Sequence, residues 1–170
     1  MCEYCGCQQI TVLDELTREH DAVVAVIGQM RLHLAAGRLE EVTGCCRVIT
    51  AILEPHTTVE EDGLFPELSE DYPDHVAVLR REHREIEHVL AEAADAVPVD
   101  PAWPERLQRA MFLLREHILK EQDGVFPAAL TSLDGEQWAR VERVRASVGG
   151  RLREPPHGPA IPLSCLDRQQ

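Results

Sequence analysis

The chain has 170 residues, of which 44% are hydrophobic and only 4% aromatic, and its formal net charge is −13. This length predicts one domain with a real core, and the scarcity of aromatic side chains favours helices packed through Leu, Val, Ala and Ile. The acidic balance argues against a nucleic acid or an anionic membrane as partner, because either would be repelled. With neither an export signal nor a long apolar run in view, we expect a soluble cytoplasmic protein.

Apolar residues at helical spacing predict four long helices, which run over about 10–35, 38–70, 74–96 and 103–132. Gly37 is expected to end the first helix. Asp134 is expected to cap a shorter fifth helix over 135–148. Pro66 and Pro127 predict a kink or a stop in the second and fourth helices, because an interior proline costs a helix about 3 kcal/mol.

These elements divide the chain into four parts. We expect a cysteine-rich N-terminal segment over 1–9, a four-helix bundle over 10–132, an additional helix over 133–150 and an irregular Pro/Gly-rich tail over 151–170. Short predicted connections place consecutive helices antiparallel, which gives an up-down-up-down order. The predicted fold class is therefore all-α.

One string of the form H-x3-E-x-D-G-x-F-P occurs twice, starting at His56 and again at His117. A shorter echo, Arg-Glu-His, precedes each copy and ends at His20 and His83. Reflecting the chain at the three predicted turns brings all of these positions to one level of the bundle. The sequence therefore indicates two helical hairpins, each with one His on its first arm and a His/Glu pair on its second.

Within each H-x3-E, the imidazole and the carboxylate share one helix face, because residues four apart are stacked. Neutral imidazole together with carboxylate suits Fe, Mn or Zn, whereas an oxygen-only set suits Mg or Ca. A lone helical His is usually a core or surface residue, but the duplication argues against that interpretation here. Four histidines and two carboxylates in a helical interior are the ingredients of a two-metal site, in which each Glu can bridge both ions.

The remaining polar candidates receive other interpretations. His88 is five residues from His83, on a different side of the helix, and is expected outside the site. Asp62 and Asp123 repeat faithfully, yet we expect them to lie behind the ligands or to end a helix. The paired cysteines of the second helix are expected to be small buried residues, Cys45 and Cys46.

The pattern H…H-x3-E…H…H-x3-E, with Leu/Val-Phe-Pro after each acidic cluster, resembles that of the hemerythrin-like (HHE cation-binding) family over roughly 10–132. The resemblance implies a four-helix bundle with a non-haem di-iron centre, its two irons joined by an oxo or hydroxo bridge. It also implies chemistry with dioxygen, nitric oxide or hydrogen peroxide, or the sensing of iron or oxygen. The ligands that it implies by motif are His20, His56, Glu60, His83, His117 and Glu121.

At two positions the sequence departs from the oxygen-carrier pattern. The carriers have a further His four residues before the one on the third helix, where this chain has Leu79. Their last ligand is an Asp five residues after the final His, where this chain has Gln122 and offers Glu121 one residue earlier. Six ligands leave a coordination position open, which favours reaction over oxygen storage. Glu87, one turn after His83, is a candidate seventh ligand.

Three cysteines lie together at the N-terminus, in the order Cys2, Cys5 and Cys7. Their thiolates suit one soft ion such as zinc, and the fourth ligand of a tetrahedral site would come from Cys165 or from another Cys or His. A redox-active thiol group and plain unbound thiols are the alternatives.

For the whole chain, the alternatives to an oxidant-consuming enzyme are an oxygen, iron or redox sensor and a metal store. The sequence leaves these open, as it does the oligomeric state.

Overall fold

The structure, a computed structural model, describes residues 11–148, and all regular secondary structure in this part of the chain is helical. Seven α-helices and two π-helical segments follow one another as α1 (Thr11–Ala35), α2 (Leu39–Thr58), π1 (Val59–Leu64), α3 (Phe65–Leu68), α4 (Pro73–Ala91), α5 (Trp103–Lys120), π2 (Glu121–Val125), α6 (Phe126–Ser132) and α7 (Gly135–Val148). Within these bounds, no helix is both long and apolar enough to cross a membrane.

The four long helices form a closed bundle. Helix α1 packs against α2 and helix α4 against α5, and the two hairpins meet through α2 with α4 and through α1 with α5. Because the connections between consecutive helices are short, neighbouring helices run antiparallel. The prediction of an all-α four-helix bundle with a short fifth helix is confirmed.

The turn between α1 and α2 has the conformation that its glycine predicts. Gly37 has a φ of 68°, in the left-handed region where a side chain would be strained. Its N–H donates to the carbonyl of Leu34 at 3.0 Å, and the N–H of Arg38 donates to that of His33 at 3.0 Å. These bonds satisfy carbonyls at the end of α1, so the predicted stop at Gly37 is confirmed.

The helices do not stop at the two repeated prolines, contrary to one outcome that we predicted. Pro66 and Pro127 each lie in the first turn of a short helix that directly follows a π-helical segment. Beside them, the N–H of Phe65 donates to the carbonyl of Glu60, and that of Phe126 to Glu121, five residues earlier. The wider π turn accommodates a residue that has no N–H and whose ring clashes with a regular α turn.

Two other helix ends test the predicted boundaries. Helix α4 ends at Ala91, earlier than predicted, because the N–H groups of Ala93 and Ala94 bond to carbonyls only three residues back. Helix α7 begins as predicted. The N–H of Gln137 donates to Asp134 Oδ1 at 2.9 Å, and the N–H of Asp134 donates to Gln137 Oε1 at 2.9 Å. This reciprocal capping box satisfies two donors that a helix start would otherwise leave free.

Two separate hydrophobic clusters fill the bundle. One lies at the α1–α2 turn end and is built around Ile27, Ile49 and Trp103, together with the buried Cys45 and Cys46, as predicted. The other lies at the opposite end and contains residues of π1, α3, α6 and α7. Between them is a layer of buried polar side chains, among them the histidines and glutamates of the repeated motif.

Candidate metal centre

All six predicted ligands converge in this polar layer and none is more than 6% exposed. They form two overlapping groups, within each of which the potential ligand atoms lie no more than 4.8 Å from one another. The first group contains His20, His56, Glu60 and Glu121, and the second contains Glu60, His83, His117 and Glu121. Both glutamates belong to both groups, which is the arrangement that bridging carboxylates require.

Each glutamate lies between two histidines, one from each group. Glu60 approaches His56 Nε2 at 3.2 Å through Oε1 and His83 Nε2 at 3.3 Å through Oε2. Glu121 approaches His117 Nε2 at 3.0 Å through Oε1 and His20 Nε2 at 3.2 Å through Oε2. The two carboxylates thus connect the two hairpins at the middle of the bundle.

The atoms that face the centre of this layer lack hydrogen-bond partners among the described residues. They are both oxygens of Glu60, both oxygens of Glu121, and Nε2 of His56 and of His117. A buried polar atom without a partner costs about 1–3 kcal/mol, and more when it is charged. Metal cations among these atoms would satisfy the carboxylates and the imidazoles together, so the residues fit a metal centre of mixed nitrogen and oxygen ligands.

The two glutamates lie in the π-helical segments. Glu60 is the second residue of π1 and Glu121 is the first residue of π2, so each H-x3-E crosses from α- to π-helix. Such widened turns occur frequently at functional sites. Apolar periodicity predicts regular helix at these turns, although the proline that follows each motif is a signal of altered backbone.

Three of the four histidines have a carboxylate behind them, a feature that the sequence analysis missed. Nδ1 of His56 lies 2.9 Å from Glu19, that of His83 lies 2.9 Å from Glu61, and that of His117 lies 2.9 Å from Glu82. A carboxylate accepts the Nδ1–H, which fixes the tautomer and turns Nε2 toward the metal position. In the sequence, Glu19 and Glu82 are the glutamates of the two Arg-Glu-His echoes.

Each of these three carboxylates is in turn held by a cation. Arg80 donates to Glu61 Oε2 at 2.9 Å and also to the Glu61 carbonyl at 2.7 Å. Lys120 pairs with Glu82. Arg145, on α7, donates through Nη1 to Glu19 Oε2 at 3.2 Å and through Nη2 to Glu19 Oε1. The result is three chains of cation, carboxylate and imidazole that end at the centre.

His20 is the exception, because its buried Nδ1 has no hydrogen-bond partner among residues 11–148. Its ring is held by stacking on Phe126, with centroids 5.7 Å apart and planes within 7°. His83 stacks in the same way on Phe65, at 5.8 Å and 13°. Each phenylalanine of the repeated Phe-Pro therefore covers a histidine of the opposite hairpin, which explains why the repeat includes it.

In the metal-free protein, protons balance the two central carboxylates. Burial lowers the pKa of His56, but the charge of Glu60 and the bond to Glu19 outweigh this and raise it to about 10. For His83, burial likewise lowers the pKa, while Glu60 and Glu121 raise it to about 9. Burial raises the pKa of Glu60, yet the facing His56 and His83 hold it well below its usual range. Metal ions must therefore compete with protons for the imidazoles.

Several other residues that the sequence singled out lie away from the centre or outside the described residues. Asp62 and Asp123 are exposed within π1 and π2, where they neither lie behind a ligand nor end a helix, so that interpretation was wrong. His88 is exposed and belongs to neither ligand group, so it lies outside the site as predicted. Glu87 is exposed and lines a small cavity beside the four histidines without belonging to either group of ligand atoms. The predicted cysteine site, with Cys2, Cys5, Cys7 and Cys165, lies outside the described residues.

Fold and site together define a helical-bundle protein with a buried, duplicated His/Glu centre able to bind metal cations. The profile of the hemerythrin HHE cation-binding domain matches residues 11–129. The chain belongs to this family, and the predicted resemblance is confirmed. No significant match was found among curated proteins or among solved structures.

Proposed function

We propose that the protein holds two iron ions and binds or reacts with a small neutral oxidant, namely hydrogen peroxide, nitric oxide or dioxygen. The observation that carries this proposal is the set of buried carboxylate and imidazole atoms that face one another without hydrogen bonds. His20 and His56 would hold one ion, His83 and His117 the other, with Glu60 and Glu121 shared. Bound iron would supply electron-transfer chemistry and an open coordination position.

A small cavity beside the histidines supports the proposal that the ligand is a small molecule. It has a volume of about 10 Å³ and is lined by all four histidines, by Thr57 and Glu87, and by the side chains of Leu53, Ile86 and Leu114. That volume is about the room that a single water molecule needs, so the cavity excludes all but very small ligands. The three aliphatic side chains belong to a buried apolar wall and limit the access of bulk water.

The surface next to this cavity supports a neutral rather than an anionic ligand. A groove of about 470 Å³ between α2 and α4 shares Leu53, Thr57 and Glu87 with the cavity. The groove is also lined by Glu54, Glu61 and Asp62. Clefts with one sign of charge repel ligands of the same sign, so anions such as nitrite or superoxide are disfavoured. Glu87, at the boundary between groove and cavity, stays the proposed seventh ligand.

Sensing remains the second candidate function, and one observation favours it. Arg145 connects Glu19, and through it His56, to a helix beyond the family domain. A sensor would bind a macromolecular partner in a metal-dependent way, whereas an enzyme would consume oxidant over many turnovers. A metal store would do neither.

Steady-state consumption of peroxide and of nitric oxide by the iron-loaded protein tests the proposal. Leu79 is 2% exposed and lies one turn before His83, at the position where the oxygen carriers have a further His. We expect Leu79→His to slow consumption at equal iron content, because an added ligand occupies the open position. Leu79→Met is the matched control and should keep the wild-type rate. Absence of turnover by wild-type protein with two irons bound would remove the enzymatic proposal and leave the sensor.

A further inference from the structure

Helix α7 follows the region that matches the family profile, yet it brings a buried charge to the edge of the metal centre. Arg145 is only 7% exposed. Its guanidinium donates to both oxygens of Glu19 and, through Nε, to Glu15 at 2.6 Å. Glu19 is almost fully buried and accepts the Nδ1–H of His56. One arginine therefore fixes the plane of the carboxylate that orients a candidate ligand.

The same helix also contacts the backbone that carries a shared glutamate. Helix α7 packs on π1, the segment that contains Glu60. They meet at Gly63, where a Cβ atom would lie 3.5 Å from Val141 and 3.5 Å from Val144. Two separate contacts thus join α7 to the centre, one through Glu19 to His56 of the first ligand group and the other through π1 to Glu60, which both groups share.

We propose that Arg145 is a positioning residue for His56, and that docking of α7 is coupled to metal binding in the first ligand group. This inference rests on the proposed metal-binding function. By linkage, if docked α7 raises the affinity for a metal ion, the bound ion must stabilise the docking of α7 by the same factor. Helix α7 is then a part of the chain that registers metal occupancy.

The coupling through Arg145 is specific to one of the two ions. The hydrogen bonds of α7 to the bundle go to Glu15, Glu19 and Glu67, and within residues 11–148 none reaches Glu61 or Glu82, the carboxylates behind His83 and His117. A two-oxygen arginine fork also holds a carboxylate in a defined plane, which a single ammonium group does not. Loss of the fork should therefore affect the first ion and spare the second.

The helix provides its own matched control. Arg140 lies on α7 and donates to both oxygens of Glu67, at 2.6 and 2.8 Å. It therefore also ties α7 to the bundle, but the structure gives Glu67 no contact with a histidine of the centre. Arg140→Met removes an ion pair from the same helix without touching the chain of bonds to His56.

Titration of the metal-free, full-length protein with Co²⁺, followed by its visible absorption and by competition with a chelator, tests the inference. We expect Arg145→Met to weaken one of two Co²⁺ sites on the order of tenfold, as outer partners of metal ligands commonly do. Arg145→Lys should give an intermediate loss, and Arg140→Met should match wild type. Glu19→Gln, which keeps the side-chain shape, should weaken the same site and cover the case in which Arg145→Met fails to fold.

Hydrogen exchange gives the reciprocal readout. Co²⁺ should slow amide exchange in α7 of the wild-type protein and of Arg140→Met, and should do so much less in Arg145→Met. If wild type binds two Co²⁺ ions and Arg145→Met and Glu19→Gln bind both equally well, the inference is overturned while the proposed metal function stands. A wild-type protein that binds no Co²⁺ would overturn both.

Discussion

The two copies of the repeated motif have the same ligands but different surroundings. In the first copy, α7 covers π1 at Gly63, and His56 is backed by Glu19 and Arg145. In the second copy, no atom lies within 4 Å of a Cβ placed on Gly124, which lines an apolar groove of about 470 Å³. Duplication thus preserved the ligand set while the contacts around it diverged. Identical ligands here do not imply identical metal positions.

The histidines of the first arms differ in the same manner. His83 has Glu61 behind it, whereas the residue at the equivalent place in the other repeat is Gln122, and His20 has an unpartnered Nδ1 within the described chain. A carboxylate behind an imidazole raises its basicity as a ligand. The second group has two such histidines and the first group has one. The second position is therefore expected to bind metal more tightly.

The largest expected effect is the loss of metal from variants of the two glutamates, which play equivalent parts in the two copies. Glu60→Gln and Glu121→Gln should each lose both metal ions, because each carboxylate belongs to both ligand groups. His20→Gln should lose mainly the ion of the first group. Elemental analysis of the purified variants measures this directly. Loss of a single ion from either glutamate variant would mean that the carboxylates do not bridge.

Metal removal should destabilise the fold, since the two buried glutamates are then balanced only by protonated histidines instead of metal ions. At metal concentrations a hundredfold above Kd, linkage adds about 2.7 kcal/mol to the free energy of unfolding for each bound ion. For a chain of this size each ion therefore corresponds to a fall in Tm of about 5–10 °C on chelation. Calorimetry before and after chelation measures it, with metal added back as the control. Equal Tm values would indicate that the polar layer is satisfied without ions.

A matched pair of substitutions tests the contact between α7 and the first copy. Gly63→Leu should lower the free energy of unfolding by about 1–3 kcal/mol, because the added side chain must displace Val141 and Val144. Gly124→Leu, in open space, should change it by no more than about 0.5 kcal/mol. Urea unfolding of both variants compares them. Equal losses of unfolding free energy in the two variants would contradict the docking of α7 on π1 and leave the metal centre untouched.

A smaller effect should appear in the pH dependence of the metal-free protein. The pKa values of His56 and His83 are raised to about 10 and about 9, above the ordinary value of 6.5. Their protonated forms therefore stabilise the fold fully below pH 6.5, and this contribution is lost as the pH rises through 9 to 10. We expect the Tm of chelated protein to fall between pH 7 and pH 10. Metal-loaded protein, whose imidazoles carry metal instead, should not show this fall.

Some features of the structure follow from local signals in the sequence, whereas others depend on the backbone or on contacts between distant residues. The helices and the six converging residues follow from local signals, namely apolar periodicity and a string that is repeated in the chain. The widened turns at Glu60 and Glu121 depend on how the backbone accommodates a proline, which periodicity does not encode. The pairing of Glu19 with Arg145 joins α1 to α7 across most of the chain, and spacing gives no register for such a contact. The sequence therefore predicted the six residues that converge and missed the contacts that hold them.

The most direct test of the account is the metal content of the full-length protein after anaerobic loading with Fe²⁺ and removal of excess metal. The account predicts two irons per chain and an optical spectrum that changes when peroxide is added. The glutamate variants should retain neither property. One iron per chain or fewer in the wild-type protein, with histidines that remain free to titrate, would contradict a two-metal centre formed by the repeated motif.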